Sequence, residues 1–198
     1  YQVLNADDDF TLTATAHING IGIKTSDNQL GFGAVVTDDI TPFVHTGTAT
    51  PANSVNAGPL RLSDGSKDIT KMNFGFVRNN GTLEGFNVQE KTSSGADTTV
   101  KLPASGDEVK IQLKKSGDVY TIKYGDQKYT YDAESAGLTM SDDIYVGFYS
   151  SRCVDITYKN ISLAVVGRKV ELPEWTLDGN GFCGDADQTQ NLGFETTN

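Results

Sequence analysis

The sequence predicts an all-β fold, an antiparallel two-sheet β-sandwich. Apolar and polar residues alternate at period two along most of the chain, turns rich in Gly, Asn and Asp separate the alternating runs, and helical periodicity is scarce. Many short strands in one unit of 198 residues fit a sandwich, where each sheet buries one face.

Each element follows from its own residues. Phe10, Leu12, Ala14, Ala16 and Ile18 alternate with Thr11, Thr13, Thr15 and His17, which predicts a strand with one face in the core. Leu30, Phe32, Ala34 and Val36 repeat the pattern, with Gly31, Gly33 and Val35 facing the other way. Val55 to Leu62 and Asn73 to Arg78 are further strands. Asn79-Asn80-Gly81 predicts a tight hairpin into Thr82 to Val88, because Asn and Gly accept the positive φ such turns demand. A three-strand meander follows over Val109 to Leu113, Val119 to Tyr124 and Gln127 to Tyr131, turning at Ser116-Gly117-Asp118 and Gly125-Asp126. Ala133 to Leu138 reads as one short helical turn; Ile144 to Ser150, Val154 to Tyr158 and Ile161 to Val165 complete the strands.

Two segments break the rhythm. Asp38 to Asn53 carries Pro42, Pro51 and few apolar residues, and so reads as a long exposed loop of a kind that often binds ligands. The sandwich is expected over residues 1–166, and residues 167–198 form a C-terminal extension, either a linker or an appendage folded back on the sandwich. That the chain opens on Tyr1 predicts a processed protein or a piece of a longer one.

Sixteen Lys and Arg against twenty-six Asp and Glu give a net charge of −10. Nucleic acid is a poor partner for such a chain, and so is an anionic membrane surface. No apolar run reaches the roughly 20 residues of a membrane helix. Two cysteines are too few for a disulfide scaffold, and their spacing lacks the paired form of a zinc site.

Three runs share one local pattern: Leu30-Gly31-Phe32-Gly33, Phe74-Gly75-Phe76 and Val146-Gly147-Phe148. Glycine weakens a strand and often marks the close approach of a ligand or another backbone. If these strands adjoin, their glycines form a shallow floor flanked by Tyr145, Tyr149 and Val77, on which a flat polysaccharide could lie. The alternative is that glycine relieves crowding in a curved sheet. Catalytic patterns are lacking: there is no Glu-x-Asp-x-x-Glu run for retaining hydrolysis and no Gly-x-Ser-x-Gly elbow. His17 reads as an ordinary strand residue, and His45 lies in the long loop where it could touch a ligand. Acidic groups at Asp7-Asp8-Asp9, Asp38-Asp39, Asp142-Asp143 and Asp178, Asp185, Asp187 offer the oxygens Ca²⁺ takes, though most read as solvated turn residues.

Several runs together resemble the strand signatures of concanavalin A-like (laminin-G-like) jelly-roll modules. These are residues 9–16 (DFTLTATA), 30–39 (LGFGAVVTDD), 73–81 (NFGFVRNNG), 145–152 (YVGFYSSR) and 154–161 (VDITYKNI), in order along the chain. Such modules stand beside catalytic domains in bacterial extracellular pectate lyases and other polysaccharide-degrading enzymes. The resemblance implies a secreted or cell-surface bacterial module, not itself an enzyme, that is monomeric within a multidomain protein, binds a polysaccharide and holds a structural Ca²⁺. A structural or adhesion sandwich is the rival reading, and a polysaccharide lyase using Arg78, Arg152 or Tyr149 a third. For the ligand-binding site the nominated residues are Asp38, Arg78, Tyr145, Tyr149 and Arg152. Arg78 and Arg152 follow Phe positions by an even number of residues, so a regular strand would point them coreward and a bulge or strand end is needed to expose them. Secretion, as the resemblance implies it, permits a disulfide between Cys153 and Cys183 that would clamp the extension; a buried free thiol at Cys153 is the alternative.

Overall fold

A computed structural model of the chain describes residues 1–21, 30–39, 53–61, 71–86, 89–90, 103–152 and 154–169. The strands are β1 (Gln2–Asn5), β2 (Phe10–Ile21), β3 (Leu30–Thr37), β4 (Ser54–Ala57), β5 (Leu60–Arg61), β6 (Lys71–Met72), β7 (Gly75–Asn79) and β8 (Thr82–Phe86). They continue with β9 (Gln89–Glu90), β10 (Glu108–Ser116), β11 (Val119–Tyr124), β12 (Gln127–Asp132), the single helical turn α1 (Ala133–Ala136), β13 (Asp143–Arg152) and β14 (Val154–Val165). Two antiparallel sheets face each other: β1-β13-β3-β4-β7-β8, with β5 also on β3, and β12-β11-β10-β2-β14. β6 and β9 form a separate two-stranded ribbon. The all-β sandwich expected from the alternation is therefore the observed fold.

Alternation decides which residues meet between the sheets. Leu4, Leu30, Phe32, Val36, Val55, Val77, Ile144 and Val146 from the first sheet pack on Phe10, Leu12, Ile18, Leu113, Tyr120, Ile122 and Leu163 from the second. Turn chemistry fixes the registers. Asn80 and Gly81 both take positive φ, and Asn79 pairs with Thr82, giving the two-residue hairpin that Asn-Gly favours. Gly117 and Gly125 take positive φ in the two turns of the meander.

The sheets are also tied through the backbone of β3. Gly33 N–H donates to the Tyr158 hydroxyl at 2.8 Å, and that hydroxyl donates to the Tyr149 carbonyl at 2.7 Å. Tyr158 belongs to the second sheet, whereas Gly33 and Tyr149 are facing partners of the first. The Phe148 ring stacks on Tyr158 at a centroid distance of 4.5 Å. On the other side of β3, a Cβ at Gly33 would run into the Ala57 carbonyl, and one at Gly58 into that of Phe32. Both glycines hold φ near +150°, at +147° and +153°.

Several details depart from the sequence expectation. Val55 to Leu62 is split by Gly58-Pro59 into β4 and β5. The two segments at 154–158 and 161–165 are one strand, whose register shifts between Lys159 and Ser162 beside positive-φ Asn160. β1 was not anticipated, because only Leu4 of its four residues is buried and no periodicity shows. β8 ends at Phe86. Past the last strand, Arg168 pairs with Asp8 at 2.6 Å. Most of the Pro-containing loop (40–52), His45, Cys153, Cys183 and residues 170–198 lie outside the described residues.

Two expectations follow. Tyr158→Phe removes a hydroxyl that satisfies two backbone groups, so the urea midpoint should fall by the equivalent of about 1–3 kcal/mol with the m-value unchanged; an unaltered midpoint would count against the tie. Burial, above all, pushes the phenols of Tyr120, Tyr124, Tyr149 and Tyr158 well above the ordinary tyrosine range. A folded-state value above the unfolded one means the stability is fully present below pH of about 10 and is lost as pH rises further. In a tyrosinate absorbance titration these four of the eight tyrosines should ionise only as the protein unfolds; smooth titration of all eight near the ordinary value would refute this.

Candidate functional site

The outer face of the first sheet is built in rows. Val3, Tyr145, Thr37, Ser54, Arg78 and Leu83 are successive cross-strand partners over six of the sheet's seven strands. The next row runs Gly147, Val35, Asn56, Phe76, Gly85. Much of this face is packed. Val35, Leu60, Phe76 and Tyr149 form a second apolar cluster with Leu83 against it, and Thr37, Ser54 and Asn56 are buried. The Asn56 amide donates to Ser54 Oγ at 2.8 Å, and Thr37 Oγ1 donates to the Asn53 carbonyl at 3.0 Å.

The glycine floor is consequently filled by the protein's own atoms. A Cβ at Gly31 would sit 3.2 Å from Leu60 Cδ1 and 3.4 Å from the Tyr149 ring, and one at Gly147 would sit 2.7 Å from Tyr1 Cα. Gly75 faces the other way: its Cβ would meet Ile122 Cγ2 at 2.7 Å in the main core. The chain bends at Phe74 before β7 begins, so Phe76 turns outward onto Tyr149 while Phe74 and Val77 face inward. This inversion brings Arg78 to the outer face with no bulge, contrary to the parity expected from the sequence.

Of the nominated residues, Tyr145 and Arg78 share one row, both half-buried, with Thr37 and Ser54 between them. Tyr145 makes an edge contact with the Tyr1 ring at 5.2 Å. Asp38 follows Thr37 directly, and its carboxylate accepts from the Asn53 backbone N–H at 3.2 Å and the Asn53 amide at 3.1 Å. Tyr149 stands two outward positions along β13 from Tyr145 and is 7% exposed, as part of the second cluster. Arg152 lies opposite Leu30 at the end of β13, and its side chain is outside the described atoms.

At the sheet margin, the β7–β8 hairpin and the β12–α1 corner enclose a cleft of about 370 Å³ lined by Val77, Asn79, Asn80, Thr82, Glu84, Tyr131 and Ala136. Asn79 donates to the Ala136 carbonyl at 3.0 Å. Asn53 is the hub behind this corner: its amide also donates to the Thr139 carbonyl at 3.2 Å, and its Oδ1 accepts from Asn80 N–H at 2.8 Å.

The outer face of the second sheet differs in kind. One row holds Lys159, Thr15 and Lys110; the next holds Ser162, Thr13, Gln112, Lys123 and Lys128; the third holds Ala164, Thr11, Lys114, Thr121 and Thr130. At one end His17 Nδ1 stands 3.3 Å from Glu108 Oε1, which also pairs with Lys159 at 3.1 Å. The hydrogen bond and charge of Lys159, more than those of His17, hold the Glu108 carboxyl below its usual range. His17 is therefore half-buried beside an acid on the solvent face of a strand. Sequence reasoning missed the lysines as a group, although period two places every one of them opposite a core residue.

Two of the acids that offer oxygens to Ca²⁺ are engaged within the fold. Asp8 accepts from Asn5 N–H at 2.9 Å and pairs with Arg168, while Asp9 accepts from Gly117 N–H at 2.7 Å. These acids fasten loops, and no group of three or more His, Cys, Asp or Glu converges there. Asp178, Asp185 and Asp187 lie outside the described residues.

Asn53→Ala deletes three side-chain hydrogen bonds at once, two of them to backbone groups. Its thermal or urea unfolding should show a loss of about 1–3 kcal/mol; parental stability would contradict the hub.

Comparison with known proteins places these surfaces in context. A sequence model described as the pectate disaccharide-lyase N-terminal domain matches residues 1–167. Pectate lyase L of Thermoclostridium stercorarium is 25% identical over 165 residues, which make up 83% of this chain and 11% of that protein. Among solved structures, the carbohydrate binding module CBM66 of Bacillus subtilis aligns at a TM-score of 0.38 and 12% identity, over 82% of this chain and 76% of that one. Xenopus laevis galectin-Ib aligns at 0.42 and 15%, over 82% and 98%.

Proposed function

Because the chain belongs to the pectate disaccharide-lyase N-terminal domain family, we propose that it is a non-catalytic carbohydrate-binding module of a secreted bacterial polysaccharide-degrading enzyme. The observation that carries this reading is the extent of the family match, which takes in both sheets of the sandwich through β14. The relative adds a second support: the matched stretch is about a ninth of that pectate lyase, which leaves most of its length for the chemistry. On this reading the module holds a polysaccharide near a catalytic part located elsewhere in the longer protein, and raises the local substrate concentration by multivalent attachment.

The sandwich's own chemistry agrees. Histidine and carboxylate meet at His17 and Glu108, but Lys159 also claims that carboxylate, and the Glu108 side chain is 53% exposed, so water reaches the group. The carboxylates of Asp8, Asp9 and Asp38 are each engaged in loop hydrogen bonds.

Incubation of the chain with polygalacturonate, followed by ultraviolet absorbance of unsaturated products, separates binder from lyase. The expected result is retention of the chain on the polysaccharide with no growth in absorbance. Steady absorbance growth in proportion to the chain would overturn the non-catalytic reading.

A further inference from the structure

The outer face of the second sheet gathers Lys110, Lys114, Lys123, Lys128 and Lys159 in a chain whose net charge is −10. Against them, the described strands of that face set Glu108, already paired with Lys159, Asp155, which accepts from Asn19 at 3.0 Å, and Asp132 at the end of β12, which accepts from the Ser135 backbone N–H at 3.0 Å as the cap of α1. Among the described residues no carboxylate pairs with Lys110, Lys114, Lys123 or Lys128. Lys123 and Lys128 are direct cross-strand partners, an arrangement of like charges that weakens a sheet. Lys114 lies diagonal to Lys123 across the β10–β11 pair. Between the lysines the face carries hydroxyls and amides: Thr11, Thr13, Thr15, Thr121, Thr130 and Gln112. No aromatic ring belongs to these three rows.

We propose that this face binds an acidic polysaccharide, its uronate carboxylates pairing with Lys110, Lys114, Lys123 and Lys128 while the threonines and Gln112 hydrogen-bond its hydroxyls. Charge complementarity selects the occupant. Spread over three rows about 4.8 Å from strand to strand, the ammonium groups suit a repeating anionic polymer better than one small anion. Without rings to stack on, the face lacks what a single-stranded nucleic acid would use. A protein partner would call for an apolar centre, and these rows have none. The inference rests on the carbohydrate-binding reading and adds the ligand class and the face.

Affinity electrophoresis through gels containing polygalacturonate or neutral galactan, at low and high salt, tests it. Polygalacturonate should retard the chain, less so as salt rises, and galactan should not. The Lys114→Ala, Lys123→Ala, Lys128→Ala triple variant should weaken retardation by roughly tenfold, from three partly screened ion pairs. The corresponding Lys→Arg triple variant keeps the charge and should bind as the parent does; equal melting temperatures for both triples exclude unfolding as the cause. Parental binding by the alanine triple overturns the proposal. Retardation by galactan without salt dependence also overturns it, while leaving the carbohydrate-binding reading intact. Retention on neither polysaccharide overturns both. Stronger retention by single-stranded DNA than by polygalacturonate at equal salt overturns the choice of occupant.

Discussion

The Gly33 backbone is the point on which both sheets and three strands of the first sheet converge. On one side its N–H is held by the Tyr158 hydroxyl, which reaches across from the second sheet and also satisfies the Tyr149 carbonyl. On the other, its Cα meets Gly58, where the chain leaves β4 for β5. A side chain at either glycine would collide with backbone, which cannot move aside as the end of a flexible side chain can. Inter-sheet contacts in a sandwich are mostly apolar and non-directional, whereas a buried phenol bonded to two backbone groups fixes both sheets at one defined geometry. Burial keeps that phenol protonated far above neutral pH.

From this follows a division between the two outer faces. With Tyr149 fixed by its carbonyl, its ring covers Gly31 and meets Phe76 edge-on, and the outer face of the first sheet becomes a second small core. Tyr1 fills the space over Gly147. Among the described residues the second sheet has no such inserts. Its solvent face keeps the plain alternation of β2, β10, β11 and β12, so its lysines and threonines stand in regular rows. Glycines that look like a ligand floor belong to packing, and the face that looks like ordinary solvated strand carries the concentrated charge.

The long alternating strands and the Asn80-Gly81 hairpin were legible in the sequence, because period two and positive-φ turn residues are local signals. β1 was not, since one buried residue in four gives no period. The orientation of β7 was misread for a physical reason. Phe74-Gly75-Phe76 resembles its two counterparts only if the strand includes Phe74, and a bend there reverses which residues face the core. The nominated set divides accordingly: Tyr145 and Arg78 share a row, Asp38 stands at its edge, and Tyr149 belongs to a core. The lysine face could have been found by the same alternation that found the strands; a net charge of −10, averaged over the whole chain, concealed it.

On the proposed reading the partner meets the second sheet's solvent face and not the packed face of the first. Backbone amide chemical-shift mapping during titration with an acidic oligogalacturonate tests this residue by residue. Binding there should shift the amides of Thr11 to Thr15, Lys110 to Lys114, Thr121 to Lys123 and Lys128 to Thr130. Shifts confined to the row through Tyr145, Thr37, Ser54 and Arg78 would contradict it.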